Sequence, residues 1–188
     1  MQKLKFGLCI IFSILFTNCK TDKKPDQYKS DLKLTDNLGD FTSKMTEQDT
    51  IKIIAELNME WWIRHDELII TKKNNDIQLQ ATIKEDSTFE MKYEWRINKL
   101  PLVILKNSNN EFENHFVQKI ERTKGRTDRG RIYKLMSSND TLIFYTNGLG
   151  DKGGEVREYY EFMNRFYPKS KEFRFPGVEI EETDNITF

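Results

Sequence analysis

Between residues 77 and 97 the chain alternates apolar and polar side chains with period two. Ile77, Leu79, Ala81 and Ile83 are interleaved with Gln78, Gln80, Thr82 and Lys84. Phe89, Met91, Tyr93, Trp95 and Ile97 are likewise interleaved with Glu90, Lys92, Glu94 and Arg96. Successive side chains of a strand point to opposite faces, so this is the pattern of antiparallel strands with one dry and one wet face. A one-residue slip would move five large apolar groups into water, so the register should be firmly set, with Trp95 in the core. Leu68 to Thr71 leads through the turn-rich Lys72–Asp76 into the first of these runs and predicts a hairpin. Leu102 to Leu105, entered after Pro101, suits an edge strand. Arg131 to Met136 and Thr141 to Thr146 predict a second hairpin around Ser137–Asp140.

Helical signals flank and interrupt these strands. Ile51, Ile54, Ala55, Asn58 and Trp62 fall at helical spacing after Thr46, whose hydroxyl is placed to cap the N–H of Asp49. They predict a first helix ending near Arg64–His65, although Trp61-Trp62-Ile63 suits the start of a strand as well. Phe112, Phe116, Val117 and Ile120 fit a short helix. Gly148 to Gly154 reads as a flexible connection. Val156, Tyr159, Tyr160, Met163, Phe166 and Tyr167 share one face of a final helix that Pro168 stops. Residues from about 169 read as a polar tail with a strand-like stretch at Val178–Ile180. The expected class is α+β: an antiparallel meander with an N-terminal and a C-terminal helix packed on one face.

The N-terminus carries an address. Lys3 and Lys5 precede an apolar run from Phe6 to Phe16, followed by Thr17-Asn18-Cys19-Lys20. Charge, then a short apolar stretch, then a cleavage point is the layout of a secretory signal. Eleven apolar residues are too few for a membrane-spanning helix, which needs about 20. The Phe16-Thr17-Asn18-Cys19 junction resembles the lipobox of bacterial membrane lipoproteins. That resemblance implies removal of residues 1–18, acylation of Cys19 by groups such as palmitate, and a cell-envelope protein held to the membrane by lipid. Residues 19–43 then form the lipidated cysteine and a flexible tether, in which Leu32, Leu34 and Leu38 leave open a docked segment. Residues 44–188 form one globular domain. The mainly basic Lys20-Thr21-Asp22-Lys23-Lys24 favours, by the same resemblance, the outer membrane facing the periplasm.

Without Lys3 and Lys5 the chain has 28 basic and 30 acidic side chains. That near-neutral balance argues against a nucleic-acid partner. Cys19 is the one cysteine left after cleavage, so acylation leaves no disulfide and the domain must be held by its core. The 13 Phe, 7 Tyr and 3 Trp carry much of that burial.

Chemical motifs are sparse. Gly148-Leu149-Gly150-Asp151-Lys152-Gly153 matches a dinucleotide fingerprint, but antiparallel strands before it and 35 residues after it leave no room for the parallel fold it needs, so no nucleotide or other cofactor is expected. Lys119, Arg122, Lys124, Arg126, Arg129 and Arg131 form a basic run suited either to anionic envelope polymers or to a solvated turn. Trp61 and Trp62 cannot both fit a narrow buried stripe, which makes them a candidate aromatic contact surface. His65 reads as a helix-end cation and His115 as a surface residue. Glu111, Glu113 and His115 lack the further ligands a metal centre would want, and the acid pair Glu90 and Glu94 has little specificity. No catalytic residue is assigned. The leading reading is a non-enzymatic envelope binding module for a protein or an anionic polymer. A hydrolase of an envelope glycan or ester and a periplasmic immunity-type inhibitor of a toxin are the alternatives.

Overall fold

The computed structural model describes residues 30–60, 62–86, 95–106, 109–123 and 130–174. Two short helices, α1 (Leu34–Asn37) and α2 (Phe41–Lys44), lead into strands β1 (Thr50–Glu56), β2 (Ile63–Lys73), β3 (Asp76–Asp86), β4 (Arg96–Lys99) and β5 (Val103–Ile104). Helix α3 (Asn109–Thr123), strands β6 (Arg131–Met136) and β7 (Thr141–Tyr145), helix α4 (Leu149–Phe166) and a 3₁₀ turn at Lys171–Phe173 follow. The seven strands form one antiparallel sheet in the order β4-β3-β2-β1-β6-β7, with β5 also on β3. The class is α+β.

The expected helix over Thr46–His65 is absent; the segment forms β1 and the start of β2. Ile51, Ile53, Ala55 and Leu57 are fully buried and alternate with Lys52, Ile54 and Glu56. Ile51, Ile54 and Ala55 recur at helical spacing, while Ile51, Ile53, Ala55 and Leu57 recur at period two, so the segment carries both patterns. Two pairing partners, β2 on one side and β6 on the other, decide for the strand. The capping at Thr46 is reversed as well: the Asp49 carboxylate accepts from the Thr46 N–H at 2.7 Å and from its hydroxyl at 2.9 Å.

Residues 30–43, expected within the tether, dock on the domain, while 19–29 lie outside the described residues. Leu32, Leu34, Leu38 and Phe41 are buried with Met45 in the common core. Helices of one turn cannot hold themselves, and distant carboxylates complete these two. Asp140 accepts from the N–H groups of Leu34 (2.9 Å) and Thr35 (2.8 Å). Glu113 accepts from the Thr42 N–H (2.8 Å) and hydroxyl (2.6 Å).

The β2–β3 hairpin closes through Asn74 and Asn75, both at positive φ (50° and 67°), with Lys73 paired to Asp76. Two left-handed residues match the right-handed twist of the strands, and asparagine tolerates that conformation. Gly148–Gly154, expected as a connection, supplies the first turns of α4. Gly148 stands at the N-cap with φ 103°, and the Asp151 carboxylate accepts from the Asn147 N–H at 2.7 Å. The stripe from Val156 to Phe166 commits the helix to the core, which carries the weak glycine turns with it. Phe173, expected in the polar tail, is buried; Val178–Ile180 lies outside the described residues.

The sheet has two unlike faces. The inner face presents Ile51, Ile53, Leu68, Ile70, Leu79, Ala81 and Ile83, all buried. Phe112 and Phe116 of α3 and Tyr159, Phe162 and Met163 of α4 join that core. Tyr159 donates to Asp66 at 3.1 Å, and Tyr167 accepts from the Ala81 N–H at 3.2 Å.

Candidate functional site

The outer face is assembled from the alternate residues of the same strands. Cross-strand pairing lines up Ile97, Lys84, His65 and Glu56 in one row, on β4, β3, β2 and β1. The next row runs Lys99, Thr82, Glu67, Ile54 and Lys134, from β4 across to β6. Between these rows lies a depression of about 490 Å³ lined chiefly by Ile54, His65, Glu67, Lys84, Trp95 and Ile97. Trp95 is 40% exposed and Ile97 64% exposed, large values for groups of their hydrophobicity.

Charge surrounds this apolar floor unevenly. Glu67 lies 2.7 Å from the Lys52 ammonium and 3.8 Å from that of Lys84. Lys99 and Lys134, on β4 and β6 in this row, have no carboxylate partner among the described residues. His65 touches the Trp95 ring edge-on at 5.6 Å between centroids, and burial lowers its pKa. It is therefore a mid-strand group and not at the helix end expected.

Trp95 and Ile97 also correct the expected register. The alternation was expected to face the core, yet Ile97 pairs with Lys84, which points away from Ile83 and the inner face. Alternation shows that a strand has two faces without showing which one meets the helices. Phe89, Met91 and Tyr93, together with Glu90 and Glu94, lie outside the described residues.

A second polar assembly sits on the inner face. Arg64 is 2% exposed and Asp66 0%. The guanidinium donates to both Asp66 oxygens, from Nε at 2.7 Å and from Nη2 at 2.8 Å. Its Nη1 donates to the Tyr160 hydroxyl (2.7 Å) and the Glu172 carbonyl (2.8 Å). Burial pushes the Asp66 carboxyl up, against the pull of Arg64 and of the Tyr159 hydroxyl. Arg64 also stacks over Tyr160, 4.8 Å from the ring centroid. The nitrogens Nε, Nη1 and Nη2 are all committed within the protein, so this cluster anchors α4 to β2.

The expected basic run is divided among elements. Lys119, on α3, is 1% exposed and lies 2.5 Å from both Glu155 and Glu158 of α4. Arg122 donates to Glu158 at 2.5 Å, and Arg131, on β6, pairs with Glu56. The described members are each engaged by carboxylates of α4 or β1; Lys124, Arg126 and Arg129 lie outside the described residues. Trp61 does so too. Trp62 is half-buried, with its indole N–H donating to Glu85 at 2.5 Å, so it is no free contact surface.

His115, expected at the surface, is stacked on Phe162 at 3.9 Å and meets Phe116 and Tyr133 edge-on. Burial drives its pKa down to about 3. Glu113 is turned to Thr42 and Glu111 to Arg165 at 2.7 Å, so the three do not converge. Among the described residues no group of three or more His, Cys, Asp or Glu side chains could hold a metal.

Sequence reading missed Ile54, Glu67, Lys84 and Lys134 as a group. A signal existed: Ile54 is an apolar residue at an outward position between Lys52 and Glu56, visible once β1 is read as a strand. Comparison with known proteins finds no matching family, no matching curated protein and no matching solved structure.

Proposed function

We propose that this chain is a lipid-anchored, non-enzymatic contact module of the bacterial envelope, and that its working surface is the outer face of the sheet. The observation that carries the reading is the open apolar depression with Trp95 and Ile97 at its edge. An antiparallel sheet ordinarily wets its free face with polar side chains. Here that face keeps an aromatic and two isoleucines in contact with solvent, at a cost of about 25 cal/mol per Å² of apolar surface left wet. A partner that covers the depression recovers that free energy.

The disposition of reactive groups supports binding over hydrolysis. Asp66 is bonded to Arg64, Glu113 to Thr42, and Glu158 to Lys119 and Arg122. The address rests on the leader and Cys19. With the sheet's helices and the docked 30–45 segment on the inner side, an acylated Cys19 tethers the domain through residues 19–29 and leaves the outer face open to a neighbour.

Two measurements test this. Palmitate should label the wild-type protein and not Cys19→Ser, which should leave the membrane fraction; equal fractionation of the two sinks the anchor. A photo-crosslinking amino acid at position 97 should capture a neighbour in cells, whereas one at the exposed Arg157 of α4 should not. Equal yields at the two positions would remove the outer face from consideration.

A further inference from the structure

Resting on the outer-face reading, we infer that the occupant is an extended acidic protein segment that inserts one apolar side chain beside Trp95. The depression of about 490 Å³ holds one or two large side chains. The surrounding charge selects what flanks them. Lys52, Lys84, Lys99 and Lys134 share this face with Glu67 as the acid nearest the floor, and Glu56 is already paired with Arg131.

Geometry narrows the segment further. Lys99 and Lys134 stand four strand spacings apart in one row, which continues past Lys134 to Ile143 on β7. Adjacent strands lie about 4.8 Å apart, so the two ammonium-bearing positions are separated by roughly 19 Å. An extended chain advances about 3.3 Å per residue and covers that span in about six residues. Carboxylates about six positions apart, with an apolar residue between them, would therefore meet both lysines and the floor together. A second copy of this chain is disfavoured, because a two-fold contact through this face would set lysine against lysine.

The test uses the full mature chain and the indole N–H resonance of Trp95, assigned with Trp95→Phe. The probes are nine-residue synthetic peptides: acidic ends with a central leucine, lysine ends with the same leucine, and acidic ends with a central serine. Vesicles of phosphatidylglycerol are a fourth probe. The acidic leucine peptide should shift the Trp95 resonance and bind at least about tenfold more tightly than the lysine peptide. Raising salt from 50 to 500 mM should weaken it severalfold, as screened contacts require. The double variant Lys99→Glu and Lys134→Glu should reverse the preference.

Equal binding of acidic and basic peptides, or no change in the double variant, overturns the inferred chemistry. Vesicles that shift Trp95 where no peptide does would replace the protein segment with a lipid surface. An indole inaccessible to acrylamide in the free chain would mean that the chain covers this face itself, which also overturns the proposal. Crosslinks from position 97 without acidic selectivity would leave the outer-face reading standing and remove the acidic segment alone. Loss of both would remove both.

Discussion

Asp66 and Glu67 are consecutive acids on one strand, and they live in different solvents. Asp66 points inward, is fully buried, and holds Arg64 through two bonds within a ring of aromatic side chains. Glu67 points outward and is shared loosely by Lys52 and Lys84 at the edge of an open depression. One residue of chain separates a group that determines where a helix docks from one that shapes a surface. The inner face pairs Arg64 with Asp66 inside the protein; the outer face, among the described residues, leaves Lys99 and Lys134 without a carboxylate partner and Trp95 and Ile97 in water. A contact surface needs that second condition, and a stable core needs the first.

The most severe way to break the contrast is Asp66→Ala. It strands a buried guanidinium, for which about 3–5 kcal/mol of destabilisation is expected in urea unfolding. A loss below about 1 kcal/mol would mean that water reaches Arg64 and that the inner face is not dry. Next is Phe41→Ala, which removes a buried ring from the segment docked on the core, at about 3–4 kcal/mol. Were residues 30–45 merely a tether, this substitution would leave the melting temperature unchanged.

His115 sharpens the contrast through pH. The folded chain holds it neutral down to about pH 3, while the unfolded chain takes up its proton near 6.5. Stability is therefore complete above about pH 6.5 and is lost as pH falls towards 3, by about 2 kcal/mol between pH 6 and 4. His115→Phe keeps the stacking on Phe162 and should flatten that slope; an unchanged slope would place the imidazole in water. Glu172 lies where the 3₁₀ turn meets β4, and its bonds to Arg96, with Asn98, lower its pKa to about 2. Its contribution exists above the usual carboxylate range near 4.5 and disappears as pH falls through 2. Glu172→Gln should thus cost about 1 kcal/mol at pH 7, after allowance for solvent screening, and little at pH 2. The smallest effect belongs to Glu67→Ala, within about 0.5 kcal/mol of wild type in the same unfolding measurement. A larger loss would show the outer face to be structural after all.

Much of the sheet is legible in the residues. Ile77 to Ile83 is buried at alternate positions as the pattern requires, Asn74-Asn75 turns the chain between β2 and β3, and both hairpins form. The tyrosine- and phenylalanine-rich stripe from Val156 makes the final helix. Legibility fails where one pattern serves two structures. Ile51, Ile54 and Ala55 suit a helix face while Ile51, Ile53 and Ala55 suit a strand face, and pairing on both sides settles it. His115 and Lys119 look like surface residues because their own types are polar; the half-burial of His115 depends on Phe162, and the burial of Lys119 on Glu155 and Glu158, about forty residues away. The outer-face site was hidden for a related reason, since its members come from four strands and Trp95 was assigned to the wrong side.

By itself, then, the order of residues determined the class of the molecule: antiparallel strands and a closing amphipathic helix. Those properties are local, because alternation, turn chemistry and capping act over a few neighbouring residues. Tertiary structure alone decided which face of each strand became core, which charges were neutralised, and which apolar side chains stayed in water. Such outcomes depend on pairing register and on partners distant in sequence, and Asp66 and Glu67 diverge for that reason.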